Sequence, residues 1–205
     1  LRSMARSPGL SASDRLLAIT TPSFDIAVLE LLLPLFIGAK IVLATAAEQS
    51  DGEQLQQLLA RRRITVLQAT PSTWRMLIDT GWRGTPGLRA LVGGESLSRG
   101  LAIELIGRCA EVWNMYGPTE ATVWATCHRI ESVGPGRIPI GRPIANSQAL
   151  VLDDDGGLCP IGVPGEIHLG GDCLAMGYLN QPELTAMRFV PNRYSRDRRA
   201  SRLYR

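Results

Sequence analysis

The chain has 205 residues, 45% hydrophobic and 20% charged, enough apolar side chain for a sizeable core, which excludes disordered, collagen-like and low-complexity classes. Its formal net charge of +3 is uneven, because residues 188–205 hold seven Arg (Arg188, Arg193, Arg196, Arg198, Arg199, Arg202 and Arg205) against Asp197, leaving the rest slightly acidic. The longest apolar stretch, Ile26 to Ala39, is broken by Glu30 and Pro34 and is too short to span a bilayer, so no membrane association is expected.

The chain starts at Leu1 with neither an initiator Met nor a basic-then-apolar leader, and a piece of a longer polypeptide is expected. Arg15 to Thr20 is predicted as a strand, Asp25 to Gly38 as a mostly buried helix, and Lys40 to Thr45 as a second strand. Gly52 to Arg63 has an amphipathic helical pattern with Leu55, Leu58 and Leu59 on one face, and the strand Ile64 to Ala69 follows. Pro71 opens a helix bearing Trp74, Met76 and Leu77; then come a strand at Leu88 to Val92, a helix at Arg99 to Cys109 and a strand at Glu111 to Met115. This alternation predicts a parallel sheet with helices on both faces.

After about residue 145 the texture changes to short strands and turns. Ala149 to Leu152 precedes Asp153-Asp154-Asp155-Gly156-Gly157, Gly165 to Leu169 precedes Gly170-Gly171, and Pro182 to Met187 reads as one short helix. The expected division is an α/β part over residues 1–145 and a β-rich part over 146–205. The Asp triplet lacks the alternating spacing and downstream Glu of a calcium loop and reads as a solvated turn. The Arg-rich end could be a nucleic-acid arm or a solvated loop; only Tyr194 and Tyr204 interleave with it, which favours the loop and no nucleic-acid partner.

Cys109, Cys127, Cys159 and Cys173 form no C-x-x-C pair, and His128 and His168 are not at metal-ligand spacing beside them. They are expected to be reduced thiols in a cytoplasmic protein. Lys40 is the single lysine, so any lysine-dependent step must use it or go without.

The most informative run is Asn114-Met115-Tyr116-Gly117-Pro118-Thr119-Glu120 at the end of a predicted strand, since ligands of open parallel sheets bind beyond the strands' carboxyl ends. Tyr116 offers a planar face, Thr119 a hydroxyl and Glu120 a hard oxygen for Mg²⁺. An ordinary strand-to-helix turn, with Thr119 capping and Glu120 on the helix dipole, accounts for the same residues equally well.

This run, together with FDIAVLELLLPL at Phe24 to Leu35, LVGGE at Leu91 to Glu95, GRPIAN at Gly141 to Asn146 and GEIHLGGDCLAMGYL at Gly165 to Leu179, resembles the adenylation domain of non-ribosomal peptide synthetases, part of the adenylate-forming superfamily. The resemblance implies a flavodoxin-like parallel sheet flanked by helices, followed by a partial β-barrel subdomain. It implies a ligase that activates an amino acid with ATP and Mg²⁺ to an aminoacyl adenylate, then loads it onto the phosphopantetheine of a carrier domain beside condensation domains, in antibiotic-type biosynthesis. By matching positions, Tyr116 is expected to stack on adenine and Asn114 to bond its amino edge. Gly94 and Glu95 would line the base, Thr119 and Glu120 would hold phosphates and metal in the catalytic role, and Gly117 would approach the substrate carboxylate.

Asp25 resembles the family's acceptor for the substrate ammonium; read alone, it is also a plausible helix N-terminal carboxylate. The pocket expected by position is Asp25, Ile26, Leu29, Gln68, Leu91, Gly93, Met115, Val123 and Trp124. Gln68, Met115 and Trp124 are bulky, so little room is left for a side chain and glycine is the expected substrate, with alanine second. The other reading of Met115 and Trp124 is plain core. Departures from the family pattern are the missing phosphate loop with its Lys, the ribose-binding Asp expected just after Arg205, and the lid lysine, so this stretch alone is expected to be inactive. Met176 stands where the family usually has Arg. Alternatives are an acyl- or aryl-CoA ligase relative, disfavoured by Asp25, or a non-catalytic binding fragment.

Overall fold

The computed structural model describes residues 1–195 and 200–205. Arg196, Asp197, Arg198 and Arg199 of the Arg-rich end lie outside the described residues. The chain forms two compact units, Leu1–Tyr116 with Cys127–Gly141, and Gly117–Thr126 with Arg142–Arg205.

The first unit runs α1 (Arg2–Met4), a π-helical turn (Ala5–Gly9), β1 (Arg15–Ala18), α2 (Ala27–Ile37), β2 (Lys40–Leu43), α3 (Ala46–Ser50), α4 (Gly52–Arg62), β3 (Val66–Ala69), α5 (Pro71–Asp79), β4 (Arg89–Val92), α6 (Arg99–Ile106), β5 (Glu111–Tyr116) and β6 (Thr126–Arg129). These strands are ordered β2-β1-β3-β4-β5-β6, and the pairs from β2 through β5 are parallel. The order 2-1-3-4-5 is the flavodoxin-like arrangement expected, with its switch point between β1 and β3.

Side chains alternate across a strand, so register decides which face each one covers. Leu17, Leu67, Ala90 and Val112 are aligned across four strands. They join Leu55, Leu58 and Leu59 of α4, Trp74 and Leu77 of α5, and Leu101 and Leu105 of α6 in one buried cluster. The opposite parity aligns Gln68, Leu91 and Trp113, and α2 lies on that side, hydrogen-bonded to Gln68.

Helix starts are written locally. Thr45 and Glu48 form a capping box on α3, Asp51 accepts from the N–H groups of Glu53 and Gln54 on α4, Thr70 caps α5 ahead of Pro71, and Ser98 caps α6. Each satisfies backbone donors that the first turn leaves unpaired.

The structure corrects several expectations. The helix expected from Asp25 begins at Ala27, and it is not mostly buried: Val28, Leu32, Leu35 and Phe36 are exposed, because only one side of α2 meets the sheet. Its last turn ends on Gly38 with φ 77°, the left-handed stop that glycine allows. The helix expected to reach Cys109 ends at Ile106.

The second unit holds a 3₁₀ turn (Thr119–Ala121), β7 (Arg142–Pro143), β8 (Ser147–Leu152), β9 (Glu166–Gly171), α7 (Pro182–Arg188), β10 (Phe189–Pro191) and β11 (Arg202–Tyr204). Its antiparallel sheet is ordered β10-β11-β9-β8, the β-rich part the sequence predicts. Within the Arg-rich segment, Phe189–Pro191 and Arg202–Tyr204 are strands, and residues 192–195 that follow the first of them form a turn. The Asp triplet is a turn: Asp153 accepts from the N–H groups of Asp155 and Gly157. Phe189 packs between Tyr178 and Tyr204, with ring centroids 5.7 and 5.4 Å away.

Candidate active site

In the first unit a cavity of about 270 Å³ opens at the carboxyl ends of β1 and β3, lined in part by Thr20, Thr21, Phe24, Ile26, Thr70 and Thr73. This is the switch point, where a crevice between diverging connections is the natural ligand position. Gly94 stands beside it with φ +83°, and a Cβ there would lie 3.4 Å from Thr70 and 3.7 Å from Phe24. Glycine thus keeps backbone close to the Phe24 ring. Next to it, Glu95 is exposed and accepts a hydrogen bond from the Ser72 hydroxyl at 2.7 Å.

On the α2 side of the sheet, Ile26, Leu29, Gln68, Leu91 and Met115 are all buried, at 3, 2, 0, 3 and 2% exposure, and Gly93 is buried two residues beyond Leu91. The Gln68 amide nitrogen donates to the Ile26 carbonyl and to Glu30 Oε1, both at 2.9 Å. Glu30 also accepts from the N–H groups of Ile19 and Thr20, each at 2.9 Å, and from the Thr20 hydroxyl at 2.5 Å. Burial pushes the Glu30 carboxyl up, while Thr20, Gln68 and Ile19 pull it back by donating to its charged form. Asp25 is half-buried in the turn before α2.

Asn114 and Tyr116 lie at the carboxyl end of β5. Asn114 is buried, and its amide nitrogen donates to the Pro139 carbonyl at 2.8 Å, which commits the nitrogen and turns the oxygen into the group's acceptor. Tyr116 is half-buried.

In the second unit, Thr119 is exposed and Glu120 half-buried in the 3₁₀ turn. The Tyr178 hydroxyl donates to Glu120 Oε1 at 2.5 Å. Desolvation pulls the Glu120 carboxyl up, but hydrogen bonds from Tyr178 and Tyr204 and the nearby Arg188 charge outweigh it and hold the carboxyl below the usual range. Gly117 has a structural requirement of its own: a Cβ there would meet the Val123 carbonyl oxygen at 2.5 Å and Ala125 N at 2.7 Å. The bare Cα therefore faces the chain's own backbone. Thr122 and Val123 have φ 58° and 74°, a left-handed pair that is costly for β-branched residues and marks stored strain. Trp124 is buried at 3% exposure.

Among the described residues no group of three or more His, Cys, Asp and Glu could hold a metal by itself. A cation bound through one carboxylate and the oxygens of a phosphate ligand is the habit of Mg²⁺, and an ionised Glu120 fits it. All four cysteines are free, and burial pushes the Cys109 thiol up to about 12. No described helix is long and apolar enough to cross a membrane. Sequence reasoning missed Glu30 and Thr20; the one signal was an acid standing alone inside an apolar run.

A family model for AMP-binding enzymes matches residues 1–179. A dimodular nonribosomal peptide synthase of Bacillus subtilis is 43% identical over the whole chain, and a PKS-NRPS hybrid synthetase of Aspergillus candidus is 45% identical over 93% of it. The chain spans 8% of the length of each. The crystal structure of a four-domain nonribosomal peptide synthetase, holo-AB3403 bound to AMP and glycine, superposes with a TM-score of 0.92 at 45% identity, over all of this chain and 15% of that one. The chain belongs to the AMP-binding enzyme family, within the adenylation domains of nonribosomal peptide synthetases.

Proposed function

We propose that the chain selects glycine, with alanine as the next-best substrate, and forms the substrate-choosing centre of a domain that converts the amino acid to an aminoacyl adenylate. The observation that carries this reading is the crowding on the α2 side of the sheet, where Gln68, Leu91 and Met115 are packed to near-zero exposure beside the turn bearing Asp25. In a filled pocket a single methyl is worth ~1–3 kcal/mol, and Asp25 supplies the carboxylate for the substrate ammonium. The relative bound to AMP and glycine is consistent with it. Ile26, Leu29 and Gly93 complete the lining contributed by this unit.

Bound ATP with Mg²⁺ supplies the electrophilic α-phosphorus and the pyrophosphate leaving group. Tyr116 presents its ring to the base, the fixed Asn114 oxygen accepts from the adenine amino group, and Gly94 and Glu95 border it. Thr119 donates to phosphate, Glu120 ligates the metal, and the Gly117 backbone positions the carboxylate. The activated residue passes to the phosphopantetheine of a carrier domain working with condensation domains, in the cytoplasm. The two units, expected from the sequence at residues 1–145 and 146–205, serve as subdomains of one adenylation domain, with Gly117–Thr126 and residues 142–145 in the second. Without a phosphate-loop lysine, a ribose-binding Asp or a lid lysine within it, this stretch alone does not turn over.

The test is amino-acid-dependent ATP–pyrophosphate exchange by the gene product that carries this chain. Exchange is expected to be greatest with glycine; equal rates with leucine would sink the pocket reading. The 205-residue chain alone is expected to be silent, and exchange by it would refute the need for those groups.

A further inference from the structure

We propose that Glu30 is a positioning residue for substrate selection, holding Gln68 as the wall that keeps the amino-acid pocket too small for a side chain. The inference rests on the reading of Gln68 as a pocket residue.

Glu30 is fully buried, at 0% exposure, in a helix whose other buried residues are Ala27, Leu29, Leu33 and Pro34. A charge there is tolerated only if its oxygens are bonded. All four partners are donors. Oε2 takes the Ile19 and Thr20 N–H groups, and Oε1 takes the Thr20 hydroxyl and the Gln68 amide. Three of them, the Ile19 and Thr20 N–H groups and the Gln68 amide, can only donate, and a protonated carboxyl would keep just the Thr20 hydroxyl as a partner for its own hydrogen. A residue that only filled space on this face could be leucine; what the carboxylate adds is the joining of the β1 end, α2 and the middle of β3.

The consequence falls on Gln68. Both hydrogens of its amide are committed, one to Glu30 and one to the Ile26 carbonyl, and turning the amide over would set its oxygen against two acceptors. The side chain is held in one orientation. Ile26 follows Asp25 directly, so the segment that presents the ammonium acceptor and the residue that excludes a substrate side chain are tied to a single carboxylate. With Glu30 neutralised, Gln68 loses the anchor that the carboxylate supplies, its torsions regain other staggered wells, and space for a methyl opens.

The test uses the gene product carrying this chain, with exchange kinetics for glycine and alanine and the melting temperature measured together. Glu30→Gln keeps the size of the side chain but presents N–H to donors. The glycine-to-alanine ratio of kcat/KM is expected to fall about tenfold, through a lower KM for alanine and a higher KM for glycine with kcat for glycine little changed. In a Gln68→Met background, Glu30→Gln should not move the ratio further. A purely structural Glu30 lowers the melting temperature in both backgrounds and leaves the ratio alone, which overturns the proposal. If Glu30→Gln does not fold, Thr20→Val removes one bond and must shift the ratio in the same direction; an unchanged ratio overturns it equally. An unaltered protein with no preference for glycine takes down the pocket reading and this inference together, whereas a preference insensitive to these changes takes down only the role of Glu30.

Discussion

Tyr178 donates its hydroxyl to Glu120 at 2.5 Å across 58 residues of sequence, tying the 3₁₀ turn that follows β5 to the segment just before α7. The bond raises the Tyr178 phenol, and the Glu120 carboxyl is held low by the same bond, by Tyr204 and by the Arg188 charge despite partial desolvation. Two side chains that look like independent surface residues are thus one unit.

Replacing Tyr178 with Phe removes that donor. A carboxyl whose folded value is depressed contributes stability above its unfolded value and loses it as pH falls through the folded one. Tyr178→Phe is therefore expected to cost about 1 kcal/mol near neutrality, and the gap to the unaltered chain should close as the pH drops below the ordinary carboxylate range. Urea melts across that range check it; a gap independent of pH would show that the bond does not act through the Glu120 charge.

Gly117→Ala puts a methyl where the Val123 carbonyl oxygen lies 2.5 Å from the built Cβ position. Backbone cannot yield cheaply, so the 117–126 segment must shift. A loss on the order of 1–3 kcal/mol is expected, the usual cost of overpacking. Wild-type stability in the variant would contradict the contact.

Leu67→Ala empties the centre of the row Leu17, Leu67, Ala90 and Val112, and a loss of about 2–5 kcal/mol is expected. Thr45→Ala breaks only the α3 capping box and should cost about 1 kcal/mol. Thermal or denaturant melts rank the two; a costlier Thr45→Ala would reverse the assignment of core and edge.

Asp25→Asn is expected to raise the KM for glycine sharply, because removing one member of a close charge pair costs about 2–5 kcal/mol. Exchange kinetics with glycine and with glycolate, which lacks the ammonium, separate this from a folding defect. The variant should lose discrimination between the two, and retained discrimination would disqualify Asp25 as the ammonium acceptor.

Much of the α/β pattern is legible in the sequence because its helices are capped locally and its strands carry short apolar runs: Thr70-Pro71, Ser98 and Asp51 mark starts that need no tertiary knowledge. Strand order is not written that way, since β1 lies between β2 and β3 through packing of whole elements. Thr45-x-x-Glu48 announces α3, but the helix is five residues long and too short to have a period. Phe189–Pro191 and Arg202–Tyr204 are three residues each and are strands by virtue of their partners. Helix α2 is apolar on every side, so no pattern tells its buried face from its exposed one. Within the candidate site, Asp25 and Asn114 to Glu120 are recognisable by motif. Glu30 reads only as an interruption until its four donors are seen.

The exposed side of α2 has a practical consequence for handling this chain. Val28, Leu32, Leu35 and Phe36 are 41, 47, 69 and 54% exposed, and Leu43 on β2 is 69% exposed. An apolar surface of this kind is an association and aggregation liability in a soluble protein. Concentrated preparations of the isolated chain are therefore expected to self-associate, and polar replacements at Leu35 and Phe36, which bury little, offer a route to solubility without touching the core.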